Sequence, residues 1–188
     1  MSEDRKFWAE HWRNAGTTIA DRDVYYYMDS VKFDYARRLL SLSSRVLEVG
    51  AGSGRLSALL ANEGHQLTCL DYTPEALEAA RRNFADAGVK GEFVQGDAFD
   101  LPFPEGSFDA VFSTGLFEHY ADPSPIVAEM SRVLRPGGVL FSDIVPRKFS
   151  SLRALEFLRP KPPFFERSFT RQEILRLLEA AGLERISV

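Results

Sequence analysis

Cysteine is almost absent from the 188 residues: Cys69 stands alone, which excludes an internal disulfide and a thiolate-rich metal centre. It lies in an apolar run, as a buried, inert thiol would. Histidine is scarce too, with three in all, and nowhere do His, Cys and carboxylates fall at metal-ligand spacing, so no metal is expected. No eighteen uncharged apolar residues follow one another, which argues against a membrane-spanning helix. Residues 1–10 are charged and lack the apolar centre of a secretory signal, so the cytoplasm is the expected compartment. Positive charge is also in deficit, 23 Lys and Arg against 27 Asp and Glu for a net charge of -4 and a pI near 5.5. That balance argues against a general attraction to nucleic acid. Repeats and low-complexity tracts are missing as well.

What is present fits one packed domain over 1–188, with 45% hydrophobic and 12% aromatic residues. From residue 45 onward, β-rich runs at 45–49, 66–71, 91–95, 108–113, 138–145 and 184–188 alternate with helical patterns at 55–63, 74–87, 123–134 and 171–181. This alternation predicts βαβ units, a mostly parallel sheet and helices on both of its faces. Thr73 before Pro74 reads as a helix N-cap, and Gly64, Gly88 and Gly182 sit where C-terminal glycines belong. Ahead of the sheet, Phe7, Trp8, His11 and Trp12 share one helical face, and a second helix is expected over about 25–40. The segment 1–40 therefore either packs against the domain or forms a lid over a pocket at the strand ends.

The segment V-L-E-V-G-A-G-S-G-R, residues 46–55, runs an apolar strand into three glycines and then a helix. Glycine lets the backbone turn tightly and approach a ligand closely. A nicotinamide fingerprint beginning at Gly50 would put Gly or Ala at position 55, and Arg55 stands there instead. Seventeen residues after Gly54, Asp71 ends the second strand. An aspartate there either accepts hydrogen bonds from ribose hydroxyls or caps the turn. Tyr72 could lie on an adenine face or stand exposed. In G-D-A-F-D-L-P-F, residues 96–103, a carboxylate could meet an adenine amino group. Ser113, Thr114 and Gly115 bring small polar groups to the sheet's carboxyl edge, where they hold a ligand or simply end the strand.

Together E-V-G-A-G-S-G, L-D-Y-T-P-E-A-L, G-D-A-F-D-L-P-F, S-F-D-A-V, E-H-Y-A-D and R-V-L-R-P-G-G resemble the class I S-adenosylmethionine-dependent methyltransferases. The likeness is greatest to the small-molecule branch typified by ubiquinone and menaquinone biosynthesis enzymes, and it spans about residues 40–188. It implies a Rossmann-like α/β fold, S-adenosylmethionine as cofactor with S-adenosylhomocysteine as product, and a small-molecule methyl acceptor. It implies further that Glu48 shapes the loop, Gly50 and Gly52 pass the methionine moiety, Asp71 holds the ribose, and Asp97 with Ala98 meets the adenine. Ser113 or Thr114 would supply a backbone contact near the methionine. No D/N-P-P-Y follows strand four, which disfavours methylation of nucleic-acid bases. Such folds usually finish with an antiparallel seventh strand, yet this chain stops after the sixth candidate. Either the chain is shortened there, or a partner, such as a second copy, pairs with the edge left open.

Methyl transfer is an in-line displacement, so alignment of acceptor, methyl carbon and sulfur is the protein's main contribution, about 7 to 11 kcal/mol. A base helps when the acceptor arrives protonated; His119 either fills that role or braces its loop. His11 and His65 have weaker claims. From 146 to 171, seven Arg and Lys (147, 148, 153, 159, 161, 167, 171) outnumber Glu156 and Glu166 among several phenylalanines. This stretch, 146–170 in outline, is expected either as a cap for an apolar acceptor with an anionic group or as ordinary solvated charge. Two other functions stay open: a non-catalytic domain that binds S-adenosylmethionine to regulate, and a nicotinamide oxidoreductase, which Arg55 disfavours.

Overall fold

The computed structural model describes residues 3–14, 24–144 and 165–188. Two helices, α1 (Glu3–Asn14) and α2 (Val24–Leu39), precede β1 (Arg45–Val49), α3 (Arg55–Asn62), β2 (Gln66–Asp71), α4 (Pro74–Asp86) and β3 (Glu92–Gln95). After these come β4 (Phe108–Thr114), a 3-10 turn (Phe117–His119), α5 (Ser124–Val133), β5 (Leu134–Asp143) and α6 (Arg171–Ala180). The strands form one sheet in the order β3-β2-β1-β4-β5. Every pairing is parallel.

Helices cover both faces, which is why β1, β2 and β4 read as nearly continuous apolar runs rather than alternating ones. Leu47, Val49, Leu70 and Val111 point toward α5 and α6, where they pack with Ile126, Met130 and Ile174. Val46, Leu67, Cys69, Ala110 and Phe112 face the other way, toward Ala36 of α2, Leu60 of α3 and Phe84 of α4. Cys69 is wholly buried in β2. Gly54 lies directly over it, where a Cβ would come 2.9 Å from that of Ala80. Strand order reverses between β1 and β4, and a parallel sheet opens its ligand crevice at the carboxyl ends of the strands beside such a reversal.

Two expectations need correction. The fifth strand begins at Leu134 rather than residue 138: Leu134 pairs with Phe108, Arg135 to Gly138 loop out, and Val139 resumes pairing with Ala110. Gly137 there has φ +71°, and a Cβ on Gly138 would lie 2.8 Å from the Asp109 carbonyl oxygen. Residues 184–188 form no strand. Arg185 sits at φ +54°, a left-handed geometry that breaks an extended run. The sheet therefore has five strands among the described residues, with β3 and β5 at its edges. Most of the expected 146–170 cap, residues 145–164, lies outside the described residues. No described helix is long and apolar enough to cross a membrane.

Candidate active site

A cleft of about 580 Å³ opens at the carboxyl ends of β1, β2 and β4. Gly50, Asp71, Tyr72, Asp97, Ala98 and His119 all line it. Sequence reasoning had singled out each of these. Glu48, Gly52, Ser113 and Thr114 stand behind the lining, and Gly115 with Leu116 takes the wall beyond β4.

Asp71 ties the β1 and β2 turns together. Its Oδ2 accepts the Gly52 amide at 3.0 Å, and its Oδ1 accepts both the amide and the hydroxyl of Thr73 at 2.9 Å. Thr73 is the N-cap of α4, but its hydroxyl is spent on Asp71 rather than on a helix amide. The carboxylate is 5% exposed; burial raises its pKa, and the amides of Thr73 and Gly52 pull it back down. The Tyr72 amide also bonds to this carboxylate, so the whole turn from Asp71 to Thr73 is wrapped around it.

Glu48 is buried at the foot of the glycine loop, accepting the hydroxyls of Ser57 and Thr114. Those bonds join α3 and β4 beneath the loop. Burial raises its pKa to about 7 against the opposing pull of the two hydroxyls and of Lys32. On the β3 side the loop carrying Asp97 and Ala98 is strapped to α5. Arg132 donates to the carbonyls of Leu101 and Phe103, and Glu129 accepts the Leu101 amide. Asp97 accepts the Phe99 amide, which shapes the turn.

The β1 and β4 turns interlock. At Gly50, φ +68°, a Cβ would fall 2.9 Å from Cδ1 of Leu116, and at Gly52, φ +53°, it would fall 2.5 Å from the Trp12 ring. Glycine is required at both positions by backbone angle and by space. Trp12 belongs to α1, which crosses the mouth of the cleft and contributes Arg5, Trp8 and Trp12 to its lining. The helix is fastened on the α4 side by an Arg13–Glu75 ion pair of 2.7 Å and an Arg5 bond to the Tyr72 carbonyl at 3.0 Å. On the far side the Trp8 ring meets His119 edge-on at 4.8 Å.

His119 Nδ1 lies 3.1 Å from the Phe165 carbonyl oxygen. A carbonyl only accepts, so this bond needs a proton on Nδ1, and in the neutral ring Nε2 is then the basic nitrogen. Glu118 beside it is buried, with Oε2 lacking a hydrogen-bond partner among the described residues, and its pKa is raised by that burial. His65 accepts the Ser44 amide at the opposite sheet end, and His11 stacks on Phe7 outside the cleft. Sequence reasoning placed Gly115 at the sheet's carboxyl edge but missed Leu116, Phe99 and Tyr120 in the lining. Leu116 stands two residues beyond β4, and Phe99 and Tyr120 lie inside G-D-A-F-D-L-P-F and E-H-Y-A-D, which was the available signal.

Residues 47–142 match the Methyltransferase domain family. A ubiquinone biosynthesis O-methyltransferase of Xanthomonas oryzae is 37% identical over 122 residues, 64% of this chain and 51% of that protein. The chain thus spans about half the length of the curated relatives it matches. Among solved structures, an S-adenosylmethionine-dependent methyltransferase from Methanosarcina mazei superposes with a TM-score of 0.71 at 26% identity, covering 78% of this chain and 82% of that one. The [4+2]-cyclase SpnF superposes at 0.69 and 26% identity, covering 82% of this chain and 56% of that one.

Proposed function

The chain belongs to the methyltransferase domain family, and from that premise we propose that it transfers the methyl group of S-adenosylmethionine to a small-molecule acceptor. The observation that carries the reading is Asp71: a buried carboxylate that lines the cleft wall at the end of β2 and fixes the Gly52 amide of the glycine loop. That chemistry suits ribose hydroxyls, which donate. The two glycines without room for a Cβ suit close passage of the methionine portion, and the strapped Asp97–Ala98 loop suits the adenine. When bound, the cofactor supplies a methyl group already activated by its sulfonium. The chain's own work is then to hold the donor, orient the acceptor against it, exclude water and accept a proton. His119, with its Nδ1 bond to Phe165, is the residue we assign as base.

We assign α1 the role of lid. The Trp12 ring rests against Gly52, so admitting the methionine portion there requires α1 to shift. The excess of Arg and Lys in residues 145–164 supports an apolar acceptor bearing an anionic group, although Arg167 at its edge is bound to Glu173 and to the Ala121 carbonyl. An acidic chain with one buried thiol fits a cytoplasmic protein without nucleic-acid partners, and the β3 and β5 edges offer a surface for a second copy.

The test is calorimetric titration with S-adenosylmethionine, S-adenosylhomocysteine and NADH. We expect micromolar binding of both adenosyl ligands, no binding of NADH, and affinity about tenfold to a hundredfold weaker in Asp71→Ala, as for loss of a charged hydrogen bond. A folded chain that binds neither adenosyl ligand overturns the reading. Binding without methyl transfer to any acceptor would favour a regulatory domain, or another chemistry on this fold like that of the cyclase.

A further inference from the structure

Helix α2 turns three residues of one stripe inward: Asp29, Lys32 and the fully buried Ala36. The spacing i, i+3, i+7 is that of a single helix face. Each of the two charged residues reaches a different wall of the cleft. Asp29 pairs with Arg55 at 2.7 Å, with side chains 16% and 7% exposed, and Arg55 is the first residue of α3, directly after the glycine loop. Lys32 pairs with Asp143 at 2.7 Å at the end of β5. The other oxygen of Asp143 accepts the Gly115 amide at 2.8 Å. Gly115, at φ +67°, begins the turn whose next residue, Leu116, seats on Gly50. Both charges also act on Glu48 beneath the loop, Lys32 favouring its ionised form and Asp29 opposing it.

We propose that α2 is a brace for the cleft, with Lys32 and Asp29 as positioning residues: Lys32 sets the Gly115–Leu116 turn through Asp143, while Asp29 sets the glycine loop through Arg55. Neither side chain lines the cleft. Their effect is transmitted by a carboxylate with two fixed partners in one case and by an arginine anchored at a helix start in the other. The ion pair is partly buried, so removing one member leaves the other charge poorly compensated and free to turn toward water. Asp143 would then release the Gly115 amide. Asp143 also faces the like charge of Glu118, so Lys32 is the cation that holds it in place.

The inference rests on the proposed function for its ligand but can be read without one. Hydrogen exchange of the Gly115 amide in the ligand-free chain should be at least tenfold faster in Lys32→Gln and near the wild-type rate in Lys32→Arg. Amides of β1 and β2 should keep their protection. In parallel, S-adenosylhomocysteine should bind Lys32→Gln about tenfold more weakly, with affinity recovered in Lys32→Arg. Asp143→Asn keeps an oxygen for Gly115 while abolishing the ion pair, so it should fall between; it serves as the second variant if Lys32→Gln does not fold. Unchanged Gly115 exchange and affinity in a folded Lys32→Gln overturn the brace. Altered exchange in a chain that binds no adenosyl ligand would instead leave the brace standing and overturn the proposed function.

Discussion

Glu48 is a carboxyl group that the fold buries completely and then bonds to two hydroxyls, an arrangement that two hydroxyl donors only partly compensate. Its pKa, about 7 in the folded chain against about 4.3 unfolded, fixes the sign of a pH effect. Between those values the native state holds the extra proton, so stability falls as pH rises from about 4.3 to 7 and the penalty is complete above 7. The full loss is about 4 kcal/mol, of which roughly 3 kcal/mol falls between pH 5 and pH 8. Urea denaturation at pH 5 and pH 8 should show that loss in the wild type, and Glu48→Gln should remove most of the difference. Equal slopes in both proteins would mean that Glu48 is hydrated. At this scale the sequence was legible where chemistry attaches to a strand end, as for Asp71 at the end of β2. Glu48 is seen only as a motif letter, since its partners Ser57 and Thr114 lie 9 and 66 residues away. The contact of Trp12 with Gly52 was illegible for the same reason: nothing local fixes where α1 docks.

Among the elements, α6 carries the clearest local instruction. Thr170 accepts the Glu173 amide while the Glu173 carboxylate accepts the amide and the hydroxyl of Thr170, a capping box that satisfies donors at both positions. Thr170→Ala should cost about 1 kcal/mol, seen as a lower denaturation midpoint with unchanged ligand affinity, because no residue of α6 lines the cleft. A change in affinity would mean that α6 reaches the site. The helices and the first four strands were readable because their periodicities and punctuating residues are local. β5 was misjudged because R-P-G-G reads as a stop, yet the Leu134–Phe108 pairing draws the chain into the sheet before that loop. Residues 184–188 alternate like a strand, and the left-handed Arg185 overrides them. For α2, periodicity gave the helix but not the ion pairs that give its inner face a purpose, since both partners belong to distant elements.

The whole molecule is a parallel sheet whose order reverses between β1 and β4, with the candidate cleft at that reversal. Strand order is legible in outline because parallel crossovers are right-handed and short. The chemistry is less so, since one architecture superposes on both a methyltransferase and a cyclase. Cys69 offers a way to watch the assembly as a unit. It is the only thiol, sits in a central strand under Gly54, and is kept protonated by burial that raises its pKa, so a thiol reagent can reach it only when β2 parts from α3 and α4. Its labelling rate should therefore follow opening of the whole sheet rather than fluctuations of α1, and saturating S-adenosylhomocysteine should slow it in proportion to ligand concentration. Prompt labelling of the native chain would contradict that expectation. A single sulfur atom thus makes the protein its own stopwatch, timing each departure from the folded state with no label added in advance.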